Sequence, residues 1–315
     1  VLFTFPAGST TYKSACLKGR DARLGRAPQV KKGDTGTEYA EEERTMNKRL
    51  YARIIACVLI AGFAVVTFSG CAPKSATLDA IKKAGVLNWG SDPTFEPFEF
   101  IDKNNNPTGF DVDLVEAIAV KLGVKANLTS GAFDGLLMAL DTNKFDLVCA
   151  AMTITADREK QVAFSIPYYR ADMGIMYNPS KNTITKPEDL VGKTVGVQTG
   201  TTGDISARKI AGVKVNPYPD IQLATLDLIN GRVDAVVNDY PVCTAYASTH
   251  PELRVIDTTS IAGEDLTQLY GIAVRKDDAA FKDAIDNALR SLVSDGTYAT
   301  LYKKYFFADP PYLPK

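Results

Sequence analysis

From residue 85 onward, short apolar runs alternate with amphipathic stretches, the pattern of an α/β fold with largely parallel sheets. Residues 86–91 predict a strand. In the next helix Val112, Val115, Ile118, Ala119 and Leu122 share one face, with Asp111 placed to cap it and Gly123 to stop it. A helix at 133–143 and a strand at 146–153 follow. A second set then repeats the order, with strand 194–198, helix 203–211, strand 213–218, helix 221–230 and strand 233–238. The C-terminal part predicts a strand at 270–274 and helices at 278–294 and 297–306, parted by Asp295 and Gly296. The two sets echo each other, since residues 140–148 and 226–236 both run from a helix end through a polar turn containing Asn to an Asp and an apolar strand. Two lobes of similar build are expected, and open α/β sheets place ligands where strands turn into helices.

The leader has a different pattern. Residues 46–71 open with Met46, Lys48, Arg49 and Arg53, continue through an apolar stretch at 54–68 and end in Phe68-Ser69-Gly70-Cys71. That is a signal peptide's basic start, short apolar core and small residues before the cut. The ending resembles a bacterial lipobox, with Phe68 where Leu is usual, and implies lipidation of Cys71 and an extracytoplasmic, membrane-anchored body. Residues 1–45, upstream of a plausible start at Met46, lack periodicity and read as an unstructured or mis-called extension.

At 315 residues, 45% hydrophobic and 23% charged, the chain fits two globular domains, which excludes a disordered or fibrous protein. The leader takes 11 of the 36 Lys and Arg and 6 of the 37 Asp and Glu, leaving 25 basic against 31 acidic residues. A body of that sign lacks the basic excess of nucleic-acid binding. After the leader only Cys149 and Cys243 remain, both in apolar runs, and two buried thiols fit better than a bridge. A single histidine, His250, argues against a His-based triad or zinc site. No catalytic residue, metal or cofactor is expected.

The segments Ser91-Asp92-Pro93-Thr94-Phe95-Glu96-Pro97-Phe98, Gly109-Phe110-Asp111-Val112-Asp113, Thr153-Ile154-Thr155-Ala156-Asp157-Arg158, Phe164-Ser165-Ile166-Pro167-Tyr168, Val195-Gly196-Val197-Gln198-Thr199-Gly200-Thr201-Thr202, Asp234-Ala235-Val236-Val237-Asn238-Asp239 and Asp295-Gly296-Thr297-Tyr298 occur in order at sensible spacing. Over about 78–306 the chain thereby resembles the bacterial extracellular solute-binding proteins for polar amino acids, the family 3 receptors of ABC importers. The resemblance implies a type II periplasmic-binding-protein fold, two α/β lobes joined by a two-crossover hinge with the cleft between them. Lobe 1 is then 76–168 plus 270–315 and lobe 2 is 172–265, with crossovers near 165–172 and 265–270. It also implies a monomer that delivers a free L-amino acid to the permease's transmembrane subunits.

A zwitterionic amino acid needs a fork of donors beside an acidic acceptor, and Arg158 and Asp239 suit those needs. By resemblance, Arg158 holds the ligand carboxylate with the backbone N–H groups of Thr153 and Thr202, at a helix start that favours an anion. Asp239 takes the ammonium with the backbone of Ala151 and the Thr153 hydroxyl. Asp92, Phe95, Phe133, Gln198 and Thr201 border the ligand's side chain. Phe98 and Phe100 are assigned to the core, and Asp111 and Asp113 to the helix start. With no cation beyond Arg158 in these segments, acidic ligands are disfavoured. A basic amino acid such as arginine or lysine is expected, with glutamine or another polar one next. The competing readings are a cyclohexadienyl or arogenate dehydratase, with Asp92 or Glu96 as a burial-raised general acid, and a glutamate-receptor channel core. The latter fails for want of an apolar segment of about 20 residues after Cys71.

Overall fold

The computed structural model describes residues 75–258, 260–261, 264–265 and 268–315. The expected extension, signal peptide and Cys71 lie outside the described residues. Two five-stranded sheets carry the fold. In the first, Lys125–Ser130, Val86–Ser91 and Leu147–Val148 run parallel, in that spatial order, and Ala273–Arg275 and then Val162–Phe164 complete it, with Ala273–Arg275 antiparallel to both its neighbours. In the second, Lys214–Tyr218, Thr194–Gln198 and Ala235–Asp239 are parallel, followed by Met173–Tyr177, antiparallel to both neighbours, and Arg254–Thr258. The strands that follow the two echoed turns, Leu147–Val148 and Ala235–Asp239, hold the same third position in their sheets. Helices Phe110–Leu122, Ala279–Ser294 and Thr297–Phe306 pack on one another beside the first sheet. Their shared core includes fully buried Trp89, Phe110, Phe281 and Tyr298.

The predicted strand at 270–274 is two strands. Gln268–Tyr270 pairs antiparallel with Tyr169–Ala171 as a separate ribbon, while Ala273–Arg275 enters the first sheet. The break falls at Gly271, where a Cβ would lie 2.9 Å from the Ile154 side chain. Both chain passages between the sheets meet at this ribbon. The predicted strand 146–153 is likewise cut to Leu147–Val148. Ala151 turns to a positive φ of 44°, and Thr153 makes only an isolated bridge to Tyr270. The chain thus leaves the sheet at its carboxyl edge, which is where a cleft floor is needed.

Asp111 does not cap its helix, contrary to the sequence reading. The helix is Phe110–Leu122, its N-cap is Gly109, and its first N–H groups donate to the carbonyls of Pro97 and Phe98. Asp111 is fully buried inside the first turn. Gly109 makes this close approach possible: its φ is 130°, and a Cβ there would sit 2.1 Å from the Phe98 carbonyl oxygen. Gly109→Ala is therefore expected to destabilise the fold by about 2 kcal/mol through strain and overpacking. A urea transition with a lower midpoint and an unchanged slope would show it. Among the described residues, no helix is long and apolar enough to cross a membrane.

Candidate functional site

Arg158 lies on the short helix Ala156–Glu159, whose N-cap Thr155 accepts the Arg158 backbone N–H. This fixes the start of a long side chain that is itself buried. Its guanidinium donates to the Thr153 carbonyl at 2.7 Å and, across to the second sheet's side, to the Gly200 carbonyl at 3.1 Å. It also stands 5.1 Å from the centre of the Phe133 ring. Two of its five N–H donors are thus used. Burial lowers its pKa to about 10, an effect partly offset by the charge of Asp239, so it stays cationic at neutral pH.

Asp239 ends the strand Ala235–Asp239 and stands at the N-cap position of helix Tyr240–Thr249, yet its side chain makes no capping bond. Instead its Oδ2 accepts from the Tyr270 hydroxyl at 2.5 Å, and its buried Oδ1 has no hydrogen-bond partner. Burial pushes its pKa up to about 6 against the opposing pull of Tyr270 and Arg158. Arg158 and Asp239 attract each other without forming a direct ion pair within 4.0 Å. A buried cation and a buried anion that attract each other without an ion pair are suited to the two ends of a zwitterion.

Asp92 and Gln198 join the two sides directly. Asp92 Oδ2 accepts from Gln198 Nε2 at 2.9 Å and from the Phe133 N–H at 3.1 Å, and Oδ1 accepts from the Thr94 hydroxyl. Burial raises the Asp92 pKa, with these hydrogen bonds opposing it and the charge of Asp220 adding to it. Gln198 Oε1 is buried without a partner. Asp92 and Asp220, the N-cap of helix Ile221–Asn230, face one small cavity of about 360 Å³. Tyr246 adds another bond between the two sides, donating to the Thr94 carbonyl.

A larger cavity of about 620 Å³ is lined by Phe133, Thr153, Arg158, Gly200, Thr202 and Gln268, among others. The structure therefore brings Arg158, Phe133, Thr153 and Thr202 to one cavity, while Asp92 and Gln198 pair with each other and Asp239 is tied to Tyr270. Thr202 opens helix Thr202–Lys209, and Thr201 is its N-cap, accepting from the Asp204 N–H and donating to the Gln198 carbonyl. The Thr201 hydroxyl is thus occupied by local structure. Phe95 is buried in the core cluster 6.3 Å from Phe98, and is not on the wall of the larger cavity. Phe98 is fully buried, while Phe100 is only partly so.

Two expected ligand groups have partners within the chain. The Thr153 hydroxyl donates to Gln268 Oε1 at 2.7 Å, which leaves only its lone pairs to offer. The Ala151 N–H donates to Asp111, so the Ala151 carbonyl is the backbone group left for an ammonium. The sequence reading missed Tyr270, Gln268 and the Gly200 carbonyl, which come from distant segments and have no local signature. Lys209, which is exposed, and Asp134 also line the larger cavity. Cys149 and Cys243 are free and buried, and burial raises both thiol pKa values. Among the described residues no cluster suited to a metal ion occurs.

Comparison with known proteins bears on the family and the fold. The family model of bacterial extracellular solute-binding proteins, family 3, matches residues 87–308. The putative ABC transporter arginine-binding protein 2 of Escherichia coli (strain K12) is 34% identical over 255 residues, spanning 81% of this chain and 98% of that protein. The arginine-bound form of truncated ArgBP from T. maritima is 43% identical with a TM-score of 0.63, covering 68% of this chain and 99% of that one. The ancestral amino acid-binding protein AncCDT-1, a precursor of cyclohexadienyl dehydratase, is 37% identical with a TM-score of 0.68, covering 73% and 100%. With its paired α/β lobes and a family match over most of its length, the chain belongs to the bacterial extracellular solute-binding proteins, family 3.

Proposed function

We propose that this protein is the extracytoplasmic receptor of an ABC importer, closing around a free basic L-amino acid, arginine foremost, and presenting it to a membrane permease. The observation that carries the reading is the buried, unpaired opposition of Arg158 and Asp239 between two sides that already touch through Arg158–Gly200 and Gln198–Asp92. In this reading Arg158 and the Thr153 and Thr202 N–H groups take the carboxylate. Asp239, the Ala151 carbonyl and the Thr153 hydroxyl oxygen take the ammonium. Asp92 and Gln198 Oε1, with Phe133 as a ring wall, receive the side chain, and Asp92 and Asp220 together favour a cationic one. The names of the relatives from Escherichia coli and T. maritima support arginine. Phe95 and Thr201 shape the pocket from behind. The lobes are taken as 76–168 plus 270–315 and 172–265, and closure between them follows the hinge mode of periplasmic binding proteins. Lipidation at Cys71 would tether the receptor to the cell membrane.

The protein is read as a binder and not a catalyst. The three hydrogen bonds that Asp92 accepts oppose the upward pull of burial on its pKa and engage its carboxylate with Thr94, Phe133 and Gln198. A thermal-shift screen tests the reading, using protein unfolded and refolded to strip bound ligand. The panel is the twenty amino acids with ornithine, citrulline and cystine. Ligand at a hundredfold over Kd adds about 2.7 kcal/mol of stability. A shift with arginine, lysine, ornithine or histidine is expected. A shift confined to glutamine would keep the receptor and replace its ligand. Silence across the panel together with turnover of arogenate would overturn it.

A further inference from the structure

Beneath the cleft lies a buried carboxyl pair that the ligand contacts do not use. Glu99, on the strand Glu99–Ile101, is 1% exposed, and Asp111, in the first turn of Phe110–Leu122, is 0% exposed. The Asp111 N–H donates to the carbonyl of Phe98, next to Glu99 in the chain, and Glu99 Oε2 and Asp111 Oδ1 are both buried without a hydrogen-bond partner. Two ionised carboxylates are acceptors only, so a proton held by one of them is the donor that would give both of these oxygens a partner. The remaining Asp111 oxygen, Oδ2, is the acceptor for two donors, the Ala151 N–H at 2.8 Å and the Tyr168 hydroxyl at 2.6 Å. Asp111 is therefore the ionised partner and Glu99 the protonated one. The other groups acting on Glu99, namely Asp92 and Asp239, are themselves acidic, and Cys149 and Tyr168 beside the pair are neutral thiol and phenol. Burial and the neighbouring acids hold Glu99 well above the usual carboxylate range, and burial brings Asp111 to about 6 against the opposing hydrogen bonds of Tyr168 and Ala151.

Ala151 is what the pair holds. Its φ of 44° is a left-handed conformation that costs a non-glycine residue energy unless its surroundings impose it. The Asp111 bond to its N–H is one such constraint, and it turns the adjoining peptides toward Arg158, which binds the Thr153 carbonyl two residues on. Tyr168, the second donor, immediately precedes the crossing strand Tyr169–Ala171. We infer that Glu99 and Asp111 share a single proton, and that Glu99 is a positioning residue which, through Asp111, sets the Ala151 backbone for ligand binding. The positional half rests on the proposed role of Ala151.

Two readouts test this on the purified protein. The first is infrared spectroscopy without ligand at neutral pH, where the carbonyl stretch of a protonated carboxylic acid should be present and should vanish in Glu99→Gln. The second is L-arginine affinity in two variants. Glu99→Gln keeps a donor for Asp111 and should bind within about threefold of the unaltered protein. Glu99→Ala leaves the buried Asp111 oxygen unpaired and should bind roughly tenfold to hundredfold more weakly. Absence of the band, a glutamine variant as weak as the alanine one, or an alanine variant of unchanged affinity would each overturn the inference. Because the band is read without ligand, failure of the unaltered protein to bind arginine counts against the receptor reading, whereas a missing band counts against the shared proton.

Discussion

Arginine binding is expected to weaken by about 2 to 5 kcal/mol when Arg158 is replaced by alanine, the usual loss when one partner of a buried charge pair is truncated. The ligand carboxylate would then be desolvated against backbone N–H groups alone, and Asp239 would lose the attraction of a buried cation. The fold should survive, because the backbone N–H of residue 158 and its helix are held by Thr155 and do not need the guanidinium. What disappears is the pair of bonds to the Thr153 and Gly200 carbonyls, the second of which spans the two sides. Arg158→Lys keeps a charge but loses the planar fork, so an intermediate loss is expected. Calorimetric affinity alongside an unaltered circular dichroism spectrum would separate this from unfolding. Undiminished affinity in Arg158→Ala would remove the residue from the site.

The second large effect has opposite signs in binding and in stability. Asp239 is raised from 3.8 to about 6 in the ligand-free fold. A folded pKa above the unfolded one means that stability is fully present below 3.8 and is lost as pH rises through about 6. The shift corresponds to about 3 kcal/mol held against the ligand-free protein above that range. Asp239→Asn keeps an acceptor for the Tyr270 hydroxyl and cannot ionise. It should therefore stabilise the ligand-free protein by as much as about 3 kcal/mol at mildly alkaline pH, with the gain fading toward acid. The same variant should lose arginine binding by at least 2 to 5 kcal/mol, roughly, since the ammonium's counter-charge is gone. In the unaltered protein, protons compete with the ammonium for Asp239, so affinity should fall about tenfold per pH unit below about 6. Urea unfolding at two pH values and titrations across the acid range read all three. An asparagine variant less stable at alkaline pH would show that the carboxylate supports the fold instead of straining it.

The parts of the structure that could be read from the chain are those in which local periodicity and burial agree. Val86–Ser91, Thr194–Gln198, Ile221–Asn230 and Thr297–Phe306 stand where their patterns place them. Patterning failed where tertiary contacts decide. The strands Thr94–Phe95, Glu99–Ile101 and Pro107–Thr108 are too short to show alternation and exist through pairing with each other. The ribbon of Tyr169–Ala171 with Gln268–Tyr270 joins residues about a hundred positions apart. Arg158 and Asp239 stood out through the motifs that carry the family resemblance, and the structure buries both. Tyr270 and Gln268 did not stand out, since each matters only through a partner 31 or 115 positions away. Asp111 was visible but misread: a first-turn aspartate next to glycine looks like a cap, and only the docking of Pro97 and Phe98 carbonyls on the helix start frees it to face Ala151 and Tyr168.

Arg158 and Asp239 are proposed to be the two ends of an amino-acid site. Titrating L-arginine calorimetrically into unfolded and refolded, ligand-free protein tests it most directly. One saturable site is predicted, retained near neutral pH and weakened by roughly 2 kcal/mol or more in both Arg158→Ala and Asp239→Asn. No saturable binding of arginine, lysine, ornithine, histidine or glutamine by protein that has regained its native spectrum would contradict it.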